Sequence, residues 1–243
     1  MKGSKYKFVT TKENYEDYSS GRVIYGTPGA TNFPVRLISE IFQRATARLT
    51  NDGINPPYSI YDPFCGAGYS LTILGLLYGR AIKNIYASDI NKDILVTANK
   101  NLSLLTFQGF DDRTKELQNL KQAFNKHSHE AALESSKRLK EKVSNIQFKT
   151  FEFNILSGQN IPIPKNSIDL VLSDLPYGKL TNWEGENSNV DTSKAFLTNI
   201  HSILKPKAIV VVSVNKKQKV SYEGYKRLEV LRLGKREVLF LAK

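Results

Sequence analysis

The stretch Tyr61-Asp62-Pro63-Phe64-Cys65-Gly66-Ala67-Gly68 joins the end of an apolar run to a glycine turn and then to an apolar helix over residues 69–79. Few folds accept that junction. A buried strand that reverses sharply into a helix is the opening unit of a doubly wound α/β sheet, and glycines permit the turn. Lacking Cβ atoms, Gly66 and Gly68 are also expected to let the backbone approach a ligand and present amide N–H groups to it. Such a loop alone is weak evidence for a nucleotide-type cofactor, since α/β turns use glycine for steric reasons too.

Two further strand ends sharpen the picture. Asp89 closes a predicted strand over 84–90 and lies 21 residues after Gly68, near the ~20-residue spacing of an acid that holds the hydroxyls of an adenosine ribose. A third predicted strand, 167–174, ends in Asp174 and runs into Leu175-Pro176-Tyr177-Gly178. Open α/β sheets bind ligands outside the carboxyl ends of their strands, so these residues should face the same crevice as Gly66, Gly68 and Asp89. A cofactor site beside a site for a flat, base-like acceptor is the expectation.

Predicted strands 59–64, 84–90, 146–153, 167–174 and 208–214 alternate with helices 69–79, 91–105 and 192–204, the pattern of a doubly wound, mostly parallel sheet. Residues 228–233 and 237–241 flank Gly234-Lys235 as an antiparallel hairpin and bring the sheet to seven strands. The link 214–226 is short, which predicts a reduced or missing helix there. Residues 59–243 form the α/β domain, and 1–58 an arm and helix packed on it. Pro34 opens that helix, with Leu37, Ile38, Ile41, Phe42, Ala45 and Leu49 facing the core. Arg36, Glu40, Arg44 and Arg48 recur at steps of four, as a solvated face or as a contact for RNA phosphates. Residues 107–145 exceed what the fold needs and mix lysines with leucines, which predicts one or two inserted amphipathic helices that cap the sheet or touch RNA.

Charge bears on the partner. Lys+Arg 35 against Asp+Glu 23 leaves +12, which favours a polyanion such as nucleic acid over a basic surface kept for solubility. Cys65 is the single cysteine, so no internal disulfide forms, and a packing role suits it. The histidines His127, His129 and His201 have no cysteine near them, so no metal is expected. No apolar run nears the ~20 residues that span a bilayer, and the amino terminus lacks an apolar secretory core. A cytoplasmic monomer is the expectation.

Asp62 to Gly68 resembles motif I of the class I S-adenosyl-L-methionine (SAM) dependent methyltransferases. Asp174-Leu175-Pro176-Tyr177 is similar to the (Asp/Asn/Ser)-Pro-Pro-Tyr motif IV of members that methylate base nitrogens, with Leu175 where proline is commoner. The resemblance implies a Rossmann-like fold and SAM as cofactor. Asp62 and Pro63 would order the loop or meet the cofactor amine, the amides near Gly66 and Gly68 would face the methionine moiety, and Asp89 would take the ribose. Ile90 would pack on the adenine and Asn154, where an acid is commoner, would meet its amine. Asp174 and the Leu175 carbonyl would accept hydrogen bonds from the base, with Tyr177 stacking after Pro176. No cysteine accompanies that segment, which excludes thiolate-dependent methylation at carbon C5 of a pyrimidine.

A longer set of segments, including Ser20-Gly21-Arg22-Val23, Phe33-Pro34-Val35-Arg36-Leu37, Glu40 to Ala45, Leu74-Gly75-Leu76-Leu77, Ala87-Ser88-Asp89 and Trp183-Glu184-Gly185, resembles the AviRa family of 23S rRNA methyltransferases. That implies monomethylation of a guanine in 23S rRNA of the large ribosomal subunit, with orthosomycin (avilamycin) resistance in the known case. It places Arg22, Phe33 and Arg36 in a region that closes over the cofactor, and makes Arg22, Arg36, Arg44 and Trp183 candidates for RNA contact. Three rivals remain. A DNA adenine-N6 methyltransferase shares motif IV, a non-catalytic RNA-binding protein would have no need of an intact cofactor site, and a NAD-dependent oxidoreductase leaves motif IV unexplained.

Overall fold

A computed structural model of the chain describes residues 6–27, 33–175, 192–218 and 220–243. Its seven strands are β1 (Tyr58–Asp62), β2 (Ile82–Asp89), β3 (Gln147–Glu152), β4 (Ile168–Asp174), β5 (Leu204–Asn215), β6 (Lys226–Leu233) and β7 (Arg236–Ala242). They form one sheet in the order β3-β2-β1-β4-β5-β7-β6, parallel except for β7, which runs antiparallel between β5 and β6. The helices are α1 (Val35–Asn51), α2 (Tyr69–Tyr78), α3 (Lys92–Ser103), α4 (Phe107–Phe124), α5 (His127–Lys140) and α6 (Thr192–Ile200). The predicted elements match these to within a few residues.

Crossover helices cover both faces of a parallel sheet, so its central strands need apolar side chains on both sides. All five residues of β1 are buried, and β4 is buried from Ile168 to Ser173. Alternation divides them between two cores. Ile60, Leu170 and Leu172 pack with α1, α2 and α3, whereas Tyr61 and Val171 pack with α6. The arm belongs to the first core, with Tyr18, Val23, Ile24 and Phe33 all buried there. Phe42 of α1 stacks on Tyr78 of α2 at 4.8 Å between ring centres. Truncating a buried phenylalanine costs about 3–5 kcal/mol, so α1 is an integral wall of the fold.

The polar stripe of α1 is not a solvated face. Glu40 is 0% exposed and Arg44 6%. Glu40 Oε1 accepts from the Lys7 N–H at 2.6 Å and from Arg44 Nε at 2.7 Å, while Oε2 accepts from the N–H groups of Phe8 (2.9 Å) and Val9 (2.8 Å). Arg44 and Arg48 both pair with Glu229 of β6. The arm and the terminal hairpin close over this stripe from either side, which a helical period alone does not reveal.

The insertion is two helices, α4 and α5. Buried Arg113 donates to the Val23 carbonyl at 2.9 Å and the Arg22 carbonyl at 3.1 Å, and lies over the Tyr25 ring at 4.1 Å. Arg138 pairs with Asp17, and Lys140 with Asp111. Several cations of the insertion therefore hold the arm or the helix pair itself. Between β5 and β6 the described residues contain no helix. Instead the Ser221 N–H donates to Ser193 Oγ at 2.9 Å and the Tyr225 hydroxyl to the Leu197 carbonyl at 2.8 Å, so the link lies directly on α6.

Candidate functional site

Parallel register brings three carboxylates, Asp62, Asp89 and Asp174, to the carboxyl ends of β1, β2 and β4. Between β1 and α2 the loop turns through Gly66 at φ +51° and Gly68 at φ +71°. A Cβ on Gly68 would stand 3.2 Å from Ala98 Cα, so this glycine allows α3 to pack against the loop. A Cβ on Gly66 would meet only Ile94 at 3.8 Å, and there the backbone conformation is what requires glycine.

The loop amides turn inward, contrary to the sequence expectation. The Phe64 N–H donates to Asp62 Oδ1 (3.0 Å), Cys65 to the Ser88 carbonyl (3.0 Å), Gly66 to Asp89 Oδ2 (2.9 Å) and Gly68 to the Cys65 carbonyl (2.8 Å). A pyrophosphate is bound by just such amides when they point outward. With four engaged internally and three carboxylates around it, the crevice suits a ligand carrying positive charge and disfavours a dinucleotide.

Asp62 is buried, and its Oδ1 also accepts from Ser173 Oγ at 2.7 Å. Burial raises its carboxyl to about 7, with Ser173 and the Phe64 N–H opposing and the charges of Asp89 and Asp174 adding to the rise. Asp62 borders a cavity of about 10 Å³ with Phe33, Ser173 and Ser213. Pro63 is buried beside it and Ile90 is half-buried after Asp89. Asp89 also accepts from the Asn91 N–H at 3.0 Å, which ties the start of α3 to the loop. Asn154 Oδ1 accepts from the Leu156 N–H at 2.9 Å, closing its own turn. Burial pushes the Cys65 thiol well above its ordinary value, with Asp62 and Asp89 adding to it, as suits an unreactive packing residue.

Asp174 is the partly open member, its side chain 24% exposed. Burial raises its carboxyl pKa, while Ser213 on β5 and the Arg236 charge pull it partly back. Ser213 is near enough to help, yet among the described residues neither its Oγ nor Asp174 Oδ1 completes a hydrogen bond. Arg236 of β7 lies 3.6 Å from Asp174 Oδ2 and 5.0 Å from the Phe33 ring centre, so it links motif IV to the arm. The Leu175 N–H donates to the Ser213 carbonyl at 2.9 Å and its side chain is buried. Proline has no N–H to give, so at this position leucine replaces ring stiffness with a hydrogen bond and an apolar anchor. Pro176, Tyr177 and Trp183 lie outside the described residues.

The arginines expected to touch RNA are engaged elsewhere. Arg44 is buried between Glu40 and Glu229, which removes it from contact with phosphate. Arg36 donates to the Val9 and Thr10 carbonyls and lies over Tyr6 at 4.2 Å. Arg22 pairs with Glu16 and donates to Ser135 Oγ. Arg22 and Arg36 hold the arm, and Arg44 ties α1 to β6. Sequence reading missed Asn101, which is 0% exposed. Its Nδ2 donates to the Ala67 carbonyl of the glycine loop at 2.8 Å and to the Tyr25 carbonyl at 3.1 Å, and its Oδ1 accepts from the Tyr25 N–H at 2.7 Å. An amide within the buried stripe Leu95, Ala98 and Leu102 was the available signal. Among the described residues no group of side chains could hold a metal, and no helix is long and apolar enough to cross a membrane.

A sheet in this order with its seventh strand reversed, a glycine loop after β1, and acids closing β1, β2 and β4 together give the architecture of the class I methyltransferases. Comparison with known proteins narrows the class. The model of the rRNA methyltransferase AviRa family matches residues 4–236, and the chain belongs to that family. It is 34% identical over 244 residues to the 23S rRNA (guanine(2535)-N(1))-methyltransferase of Streptomyces viridochromogenes, with 98% of this chain and 96% of the relative covered. Two solved structures of the rRNA methyltransferase aviRa from the same organism superpose with TM-scores of 0.84 and 0.83, at 32% and 31% identity, each over 98% of this chain and 96% of theirs.

Proposed function

We propose that this chain methylates a guanine base nitrogen in 23S rRNA of the large ribosomal subunit, using SAM. The observation that carries the reading is Asp174, a partly buried carboxylate with an unpartnered Oδ1 at the strand end next to the cofactor crevice. SAM has a sulfonium and an ammonium group, and the crevice supplies Asp62, Asp89 and Asp174 to a cation, so the residues fit the cofactor. Bound there, it supplies an electrophilic methyl group. Asp62 would hold the ammonium end, Asp89 the ribose, Ile90 the adenine edge and Asn154 its amine, and Phe33 would cover the methionine end. Asp174 Oδ1 accepts the hydrogen bond of the base nitrogen and takes up its proton, which then passes to water. The Leu175 carbonyl holds the neighbouring N–H. Alignment and fixed acceptors supply the rate, with no metal or thiolate.

The test is methyl transfer from labelled SAM to free 23S rRNA, large subunits, small-subunit RNA and duplex DNA prepared from cells that lack the gene. Label confined to 23S rRNA, at one guanine, and lost by at least about 100-fold in Asp174→Ala while SAM still binds, is the expected result. Label in DNA alone would replace the reading with adenine methylation. Resistance to an orthosomycin, conferred on a sensitive host by the active gene and not by the Asp174→Ala gene, tests the cellular role.

A further inference from the structure

An RNA whose base is methylated at Asp174 requires exposed, uncommitted cations beside that residue, and Arg22, Arg36 and Arg44 are committed to protein partners. The far side of motif IV supplies such cations. β5 ends at Asn215, and Lys216 and Lys217 follow it, both exposed. Lys235, in the turn between β6 and β7, is exposed as well. The two segments touch, because the Lys216 N–H donates to the Lys235 carbonyl at 3.0 Å and Asn215 pairs in register with Arg236.

The same pairing sets this cluster next to the reacting carboxylate. Asp174 registers with Ser213 on β5, and Arg236, the neighbour of Lys235, reaches Asp174 itself. Lys216 lies three residues beyond Ser213, about 10 Å along a strand. Among the described residues none of the three ammonium groups has a carboxylate within ion-pair distance. Glu237, the adjacent acid, is held by Arg232 at 2.9 Å, and Glu223 by Lys194. Three neighbouring like charges without counter-charge repel one another in the free protein and are favourable only against a polyanion. The short link after β5, with no helix in its described residues, leaves this rim uncovered.

We propose that Lys216, Lys217 and Lys235 form a ledge that binds the phosphates flanking the target nucleotide; this rests on the rRNA reading of the site. Each phosphate contact to a single strand adds about 0.7 to the slope of log affinity against log salt, so three contribute about 2. Taken from 1 M salt, where such contacts add little, that is on the order of 100-fold in RNA affinity at 0.1 M.

The experiment compares Lys216→Gln/Lys217→Gln/Lys235→Gln with Lys115→Gln/Lys126→Gln/Lys142→Gln, which removes equal charge from exposed positions on or next to the inserted helices. Binding and KM are measured on the rRNA form that accepts methyl, over a salt series. The ledge variant is expected to lose about 2 from the salt slope and to raise KM, with kcat at saturating RNA and SAM affinity unchanged and Tm equal or higher. The insertion variant should change the slope little. Equal effects of the two variants, or no effect of the ledge variant on an active wild type, would overturn the ledge alone. A wild type that methylates no rRNA would overturn the functional reading and the ledge with it.

Discussion

Glu40→Gln should detach the amino-terminal arm while changing almost no volume. The carboxylate is fully buried and accepts four hydrogen bonds, from the N–H groups of Lys7, Phe8 and Val9 and from Arg44 Nε. A glutamine has one acceptor oxygen, and its NH₂ would confront two of those donors whichever way it turns. Two bonds to a charged acceptor, at about 1.5–3 kcal/mol each, give a loss of roughly 3–6 kcal/mol, in line with the ~3–5 kcal/mol of breaking a buried ion pair. At about 2–4 °C per kcal/mol for a chain of this size, Tm should fall on the order of 10 °C. If the arm lifts locally first, Tm falls less, and the loss appears as faster amide exchange at residues 7–9. The pH dependence has a definite sign. Burial would raise the Glu40 carboxyl, but the three backbone donors and Arg44 outweigh it and hold the pKa below its ordinary value. Its contribution is therefore complete above the unfolded-state pKa and is lost as pH falls through the folded one, so the gap between wild type and variant should close on the acid side of the ordinary glutamate range. Equal Tm at pH 7 together with equal exchange at residues 7–9 would refute the argument.

Three other substitutions probe the crevice. Asp62→Asn should raise Tm by several degrees at pH 8 and not at pH 4.5 in the ligand-free protein, because burial lifts this carboxyl to about 7 and the folded state loses stability as pH climbs from about 4 to 7; calorimetry at both pH values decides it, and SAM affinity should fall. Gly68→Ala combines a left-handed backbone with a contact of 3.2 Å to Ala98, and should cost about 1–3 kcal/mol in denaturant unfolding and lower SAM affinity, with Gly66→Ala milder. Arg236→Met should move the acid limb of kcat/KM upward, since it removes a cation that lowers the Asp174 pKa, and Arg236→Lys should largely restore it. An unmoved limb would show that Arg236 does not act on Asp174.

The strands and helices were legible because each carries its own period, and Asp62, Asp89 and Asp174 were legible because each ends a strand where this fold places ligands. What escaped depends on partners far along the chain. Arg36, Glu40, Arg44 and Arg48 look like a solvated face, and the arm residues 6–10 and Glu229, at least 26 and 181 positions away, turn that stripe inward. Glycine spacing announced the loop but not the direction of its amides, which Asp89 and the Ser88 carbonyl decide through space. Lys216 and Lys235 carry no joint signal either, because only the reversed β7 brings them together.

Asn101 grips the glycine loop with one bond and the arm with two. If docking the arm steadies the loop for its ligand by some factor, the ligand must steady the arm by the same factor, since coupling free energies are reciprocal. An amide probe on Tyr25, which Asn101 connects to the loop, should then report cofactor binding, and its response should vanish in Asn101→Leu. Residues 6–27 would in that case work as a gauge of cofactor occupancy as well as a cover.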